Sequence, residues 1–145
     1  MKCLVAVLML LCGCAHSIDV DSWRRHDLGL FALSLPVEFG YHTEIGEDSY
    51  IGRFETKGVR VEFDYGLWSD PLEYDSETDF SRRSLIIDGR EAIIAHWKHE
   101  GERRHVSAVH FTMARQAEEK LTVYVFSDQV YPFADVIFKS ITFSE

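Results

Sequence analysis

The stretch Tyr50-Ile51-Gly52-Arg53-Phe54-Glu55-Thr56-Lys57-Gly58-Val59-Arg60-Val61-Glu62-Phe63-Asp64-Tyr65-Gly66 decides the fold class. From Val59 onward the apolar side chains Val59, Val61, Phe63 and Tyr65 alternate with Arg60, Glu62 and Asp64. That period of two belongs to a strand with one buried and one wet face. Lys57-Gly58 supplies a turn, so the stretch reads as a β-hairpin and the remainder of the chain as further strands added to it.

Upstream, Phe31, Leu33 and Leu35 alternate with Ala32 and Ser34 up to Pro36, a first strand closed by a residue that cannot donate to a ladder. Residues 40–49 read as a loop. Downstream, residues 67–81 form a connection longer than most in a compact domain, interleaving Asp70, Glu73, Asp75, Glu77 and Asp79 with Trp68, Tyr74 and Phe80. Asp88-Gly89, a dipeptide suited to a tight turn, joins strands at 84–87 and 91–99. Glu100-Gly101 reads as the next turn, into 104–113, and the polar run 114–119 as another, into 121–127. Four consecutive strands then form an antiparallel meander.

Only at the end does the period change. Val130, Phe133, Ala134 and Ile137 keep helical spacing, Pro132 sits where a first turn tolerates it, and Ser127 or Asp128 is placed to cap. One amphipathic helix is expected, packed on the sheet through Phe133 and Ile137, followed by a short last strand at 140–143 added to the same sheet. The fold class is therefore α+β, an antiparallel meander of about seven or eight strands with a C-terminal helix on one face. Along 91–99, Ile94 and His96 point one way while Ile93 and Trp97 point the other, so both faces are expected to be covered.

A chain of 145 residues with 46% hydrophobic residues can bury one core and is too short for two ordinary domains. Its 24 acidic against 15 basic residues leave a formal charge of −9, which repels a phosphate backbone. The largest basic clusters beyond the N-terminus are only Arg103-Arg104 and Arg82-Arg83, so no nucleic-acid partner is expected. Cys3, Cys12 and Cys14 all lie in the first fourteen residues, so the folded part must hold together without a disulfide.

Met1-Lys2 followed by an apolar run over 4–11 has the charged and hydrophobic regions of a secretory signal, and the run is far below the roughly 20 residues that span a bilayer. Leu11-Cys12-Gly13-Cys14 resembles the lipobox of bacterial lipoproteins, with a Leu three before the cysteine and a small Gly before it. The resemblance implies lipidation of Cys14 and a membrane anchor in the cell envelope. Ala15 after the cysteine implies the outer membrane, facing the periplasm. Two alternatives stand beside it: Cys12 as the acceptor, preceded by a bulky Leu11, and ordinary cleavage after Ala15, where Gly13 and Ala15 satisfy a small-x-small site and the product is soluble. The expected organisation is a signal peptide over 1–13, a lipidated cysteine and tether over 14–27 in which Trp23 is the residue to pack, and one α+β domain over 28–145.

That domain resembles the PsbP/Mog-like α/β/α sandwich, through a Phe-x-Leu-x-Leu-Pro opening strand at Phe31 to Pro36, an Ile-Asp-Gly-x-x-Ala turn at Ile87 to Ala92, and a closing helix before Ser140-Ile141-Thr142-Phe143. The family has at least two helices, and the stretch with room for the second is 71–83. The resemblance implies a binding or assembly protein and carries no catalytic residues.

The residues themselves name no reaction. A two-residue turn at Glu100-Gly101 would place His96 opposite His105, with about 5 Å between their Cβ atoms. They are the weak metal candidates, and two histidines still need a third and fourth ligand. His96 and His99, three apart, face opposite sides of a strand. Asp75, Glu77 and Asp79 have the opening spacing of a calcium loop but lack its glycine and its closing Glu. Nucleophile-elbow, zinc-helix, P-loop and dinucleotide motifs are absent. Trp68, Tyr74 and Phe80, aromatic within an acidic rim, are the candidate partner-binding residues; the competing reading folds them back over the sheet. The expected function is a membrane-anchored, non-catalytic binding or assembly module without a cofactor, with an envelope protein as partner. The alternative is a soluble periplasmic metal-dependent enzyme using the strand histidines.

Overall fold

The structure is a computed structural model and describes residues 20–99, 101, 104–112 and 119–144. After a 3-10 turn at Val20–Ser22, the elements are β1 (Arg24–Asp27), β2 (Phe31–Leu35), β3 (Gly40–Ile45), β4 (Ser49–Thr56), β5 (Val59–Gly66), β6 (Thr78–Ile87), β7 (Arg90–His99), β8 (Arg104–Phe111), β9 (Lys120–Ser127), α1 (Ala134–Lys139) and β10 (Thr142–Phe143). The fold is a sheet-rich α+β fold. Seven antiparallel strands form the main sheet in the order β3-β4-β5-β9-β8-β7-β6, and β1-β2-β10 form a second, three-stranded sheet.

The hairpin is as the alternation requires. Thr56 pairs with Val59 across Lys57-Gly58, and Gly58 takes the positive φ of 77° that a two-residue turn asks of it. The meander β6-β7-β8-β9 also forms, with Asp88 and Gly89 both at positive φ between Ile87 and Arg90. Three segments differ from the sequence reading. Residues 40–45 are not loop but strand β3, pairing along β4 from Gly40↔Glu55 to Ile45↔Tyr50. The segment expected as tether supplies β1, paired from Arg24↔Leu35 to Asp27↔Ala32. The stretch with room for a second helix instead enters β6 at Thr78, so α1 is the one α-helix among the described residues.

The inner face of the main sheet carries the core. Val61, Phe63 and Tyr65 from β5, Leu121, Val123 and Val125 from β9, and Val109 and Phe111 from β8 are buried beneath Phe31, Leu33 and Leu35 of β2 and beneath α1. Phe31 meets Phe63 edge-on at 5.2 Å and stacks on Tyr65 at 6.1 Å. Gly52 faces Phe63 across β4 and β5, where a Cβ would stand 2.6 Å from the ring, so glycine is what lets the ring lie flat on the strand.

The closing helix is shorter than its period implies. Val130 is 73% exposed, and Ser127 Oγ donates to the Gln129 carbonyl instead of capping. Phe133 sits at the N-cap without a side-chain cap and packs sideways on Trp23 and Tyr131, at 6.1 and 5.3 Å. The buried helical positions are Ala134, Ile137 and Phe138. β10 extends β2 and not the main sheet. Docking of α1 thus rests on Ile137 and Phe138. Truncating either to Ala should destabilise the domain by about 2 to 5 kcal/mol, whereas Lys139→Ala, which is exposed, should change it by no more than about 0.5 kcal/mol. Thermal melts of the three variants check this, and equal midpoints for Phe138→Ala and Lys139→Ala would show that the helix is not docked.

Candidate functional site

β5 and β6 are consecutive in the chain, but β9, β8 and β7 lie between them in the sheet. Residues 67–77 therefore cross the outer face of the sheet as a strap. The strap is fixed where it crosses. Asp70 Oδ1 accepts from the Leu72 amide at 2.8 Å, an Asx turn with Pro71 at its centre. Its Oδ2 accepts from the Tyr124 hydroxyl at 2.7 Å and from the Tyr74 hydroxyl. The turn holds Leu72 at a φ of 60° and inserts it, fully buried, among Ala95, Trp97, Val106 and Ala108. Burial, and then the bond to Asp70, pushes the Tyr74 phenol up to about 12. The Tyr124 phenol is raised for the same reasons.

A second set of polar groups lies beneath the strap. Thr122 Oγ1 donates to the Asp70 carbonyl at 2.9 Å and stands 2.5 Å from Ser69 Oγ and 2.8 Å from His110 Nδ1. His110 is only 1% exposed. Burial pushes its imidazole down to about 4, with Lys120 and Arg82 adding to the shift and Asp70 opposing it.

Above the strap a groove of about 400 Å³ opens toward the turn end of the β4–β5 hairpin. Tyr124 and Phe126, stacked at 5.7 Å, lie in its floor with Val106, and Tyr74 and Trp97 form one wall. Its rim is charged. Arg60 pairs with Glu62 at 2.8 Å while its guanidinium lies 4.8 Å over the Phe126 ring, and His99 Nδ1 stands 3.5 Å from Glu77 Oε1. Arg104 completes the rim. A flat apolar group fits the floor, and polar ends of either sign meet a partner at the rim.

The three aromatic candidates part company. Tyr74 and Phe80 fold back over the sheet onto Trp97, at 5.0 and 6.5 Å. Trp68 stands 80% exposed at the opposite end of the strap. The expected histidine pair does not form, because the β7–β8 turn is longer than two residues: His99 pairs with Arg104, which puts His96 opposite Ser107 and His105 opposite Lys98. His96 Nδ1 instead lies 2.8 Å from Ser107 Oγ, within hydrogen-bond distance, while Nε2 faces Asp135 Oδ1 at 3.5 Å. Among the described residues no three His, Cys, Asp or Glu side chains gather closely enough to hold a metal, Asp75, Glu77 and Asp79 included. Cys14 lies outside the described residues. No helix among the described residues is long and apolar enough to cross a membrane.

Asp70, Trp97, Tyr124 and Phe126 were not singled out as site residues by the sequence reading, and His110 entered it only as one of the strand histidines considered for a metal. Strand parity assigns Trp97 to the outer face, and the same parity along 121–127 puts Tyr124 and Phe126 beside it. Asp70 had only its Asp-Pro dipeptide to mark it as a turn former. No protein-family model matches this chain, and no curated protein matches it. What the fold and groove define is thus a class, a two-sheet α+β domain with a strapped, aromatic-floored groove.

Two outcomes follow. Asp70→Ala strands two phenol hydroxyls and one amide, which should cost about 1 to 3 kcal/mol and should speed hydrogen exchange at the Leu72 amide far more than at Phe63; equal acceleration at both would mean the strap is not a separate unit. His110 is held neutral, so its contribution is complete above the ordinary histidine pKa of 6.5 and is lost as pH falls toward about 4, while the unfolded chain takes up the proton first. The loss should reach about 3 kcal/mol. Melting curves from pH 7.5 to 4 should be flatter for His110→Gln than for the wild type, and parallel curves would rule His110 out as the titrating group.

Proposed function

We propose that this protein is a lipid-anchored module of the cell envelope that works by binding, with the groove beside the strap as its binding surface and an envelope protein as its partner. One observation carries this reading: half-buried, stacked Tyr124 and Phe126 floor an open groove whose rim is charged. Binding surfaces draw their energy from aromatic anchors of this kind within a polar rim. The address is supported by the sequence, through the lipobox ending at Cys14 and the Ala15 that follows it, which by resemblance implies the outer membrane and the periplasm. The finer architecture proposed is the PsbP/Mog-like sandwich, supported by the motifs at 31–36 and 87–92 and by a helix that runs into a final strand.

The direction in which the chain enters the domain also bears on this reading. Phe31, at the start of β2, packs on Tyr65, at the end of β5 away from the hairpin turn. β1 is antiparallel to β2 and begins opposite Leu35. The chain therefore enters at the turn end of the sheet, on the face opposite the groove, and an anchor preceding β1 leaves Trp68 toward the other end of the sheet.

Fractionation and capture test the two halves separately. Expressed with its own leader, the wild type should sediment with membranes and Cys14→Ala should not. A partner captured from detergent-solubilised envelope should be retained by Cys14→Ala and lost by Phe126→Ala, which shortens the groove floor. A soluble wild type would remove the anchor. A partner indifferent to Phe126→Ala, or no reproducible partner, would remove the groove.

A further inference from the structure

On the opposite, inner face, at the border of the cover that α1 provides, side chains from three elements line up. Ser107 on β8 and His96 on β7 are cross-strand partners, with Oγ 2.8 Å from Nδ1. Across the ring, Nε2 stands 3.5 Å from Oδ1 of Asp135, in the first turn of α1. The other Asp135 oxygen accepts from Arg83 on β6 at 2.5 Å, whereas Oδ1 is buried without a hydrogen-bond partner and faces the imidazole. We propose that Ser107, His96 and Asp135 form an acyl-transfer site, with Ser107 as nucleophile, His96 as general base and Asp135 as a positioning residue, acting on carboxylic esters that are small or stand out from their parent molecule.

The proton positions follow from the partners. A carboxylate only accepts, so the nitrogen facing Asp135 carries the hydrogen and Nδ1 keeps its lone pair for the Ser107 hydroxyl. The two ring nitrogens are exchanged relative to the chymotrypsin arrangement, but base strength resides in whichever nitrogen holds the lone pair. Burial lowers the His96 pKa, Asp135 partly restores it, and Arg83 lowers it again, so the ring is neutral and able to accept a proton near neutral pH. Lys98 and His105 pair with each other two residues further along the same face, about 7 Å away. Lys98 supplies positive charge beside the carbonyl oxygen where negative charge develops.

In the reaction, Ser107 Oγ bonds to the ester carbonyl carbon as its proton passes to His96 Nδ1. The bond from that carbon to the alkoxy oxygen breaks, and the departing alcohol takes the proton. Water, deprotonated by the same nitrogen, then releases the acid and restores Ser107. The substrate class is limited by shape: His96 and Ser107 are half-buried on a strand surface, accessible to an acyl group that protrudes. This activity goes beyond binding at the outer groove and is independent of it.

The test uses the full chain with a fluorophosphonate probe. Peptide mass mapping of the wild type should place a single adduct on Ser107. Labelling should vanish in Ser107→Ala and slow by about 100-fold in His96→Gln. In Asp135→Asn it should slow while its acid limb moves to lower pH, because the carboxylate that favours the imidazolium is gone while Arg83, Lys98 and His105 remain around the ring. Absence of a Ser107 adduct in the wild type overturns the proposal without recourse to any variant. Variants that shift the melting temperature with no adduct in the wild type would assign the three residues to clamping α1, which equally overturns it. An unmoved pH profile in Asp135→Asn would remove Asp135 from the site.

Discussion

A chain that leaves β5 and must re-enter the same sheet beyond three other strands has to carry its backbone across one of the faces. Peptide groups laid over an apolar surface lose water and must find partners, and Asp70 is the residue that solves this. Its side chain satisfies the Leu72 amide and two phenols, while its carbonyl accepts from Thr122. The conformation it enforces at Leu72, with φ of 60°, costs roughly 1 to 2 kcal/mol. Full burial of the Leu72 side chain, worth roughly 1.5 to 3 kcal/mol, offsets it. The strap then walls an aromatic groove along one edge and covers a buried histidine beneath it.

The inner face is built on a different principle. Its core is apolar and aromatic throughout, and no cysteine lies in the described residues to staple it. Phe31, Phe63 and Tyr65 interlock the two sheets, and the missing side chain at Gly52 is what gives the Phe63 ring its place. The long edge strand β6 is protected from pairing with other chains by a register shift between Thr78 and Ser81 and by the exposed charges of Arg82 and Arg83. Even so, Ile86 on that strand remains 64% exposed.

What was legible in the sequence was local. Alternation marks β4 and β5 to within a residue or two, because each has one buried face and the period records it, while β7, buried on both faces, was marked by the turn dipeptide before it and its apolar run. β1, with Arg24, Arg25, His26 and Asp27, and the first half of β6 are exposed on both sides, so burial imposes no period on them. The strand β3 forms because β4 offers an edge, a cause that lies outside its own residues. Helical spacing extended the expected helix back to Val130, but nothing covers that residue. The division into two sheets was invisible, since the residues of β2 and β10 look the same whichever apolar partner they join. The sites were less legible still. Tyr74 and Phe80 were visible as aromatics in an acidic loop, whereas Asp70 acquires its role from Tyr124, fifty-four positions away.

Polar chemistry in this fold collects where a cover ends. The helix α1 has six residues, about 9 Å of length, and it meets the far corner of the inner face only through the side chain of Asp135. There Ser81, Arg83, His96, Lys98, His105 and Ser107 replace the apolar residues found under the cover, each on the inward-facing register. On the outer face the same transition falls at the edge of the strap, where Arg60, Glu62, His99 and Arg104 surround Tyr124 and Phe126. Residues at such borders are partly shielded from water and still open enough to meet a ligand. Both the groove and the Ser107–His96–Asp135 line follow from one cause, a seven-stranded sheet with too little chain to cover both of its faces.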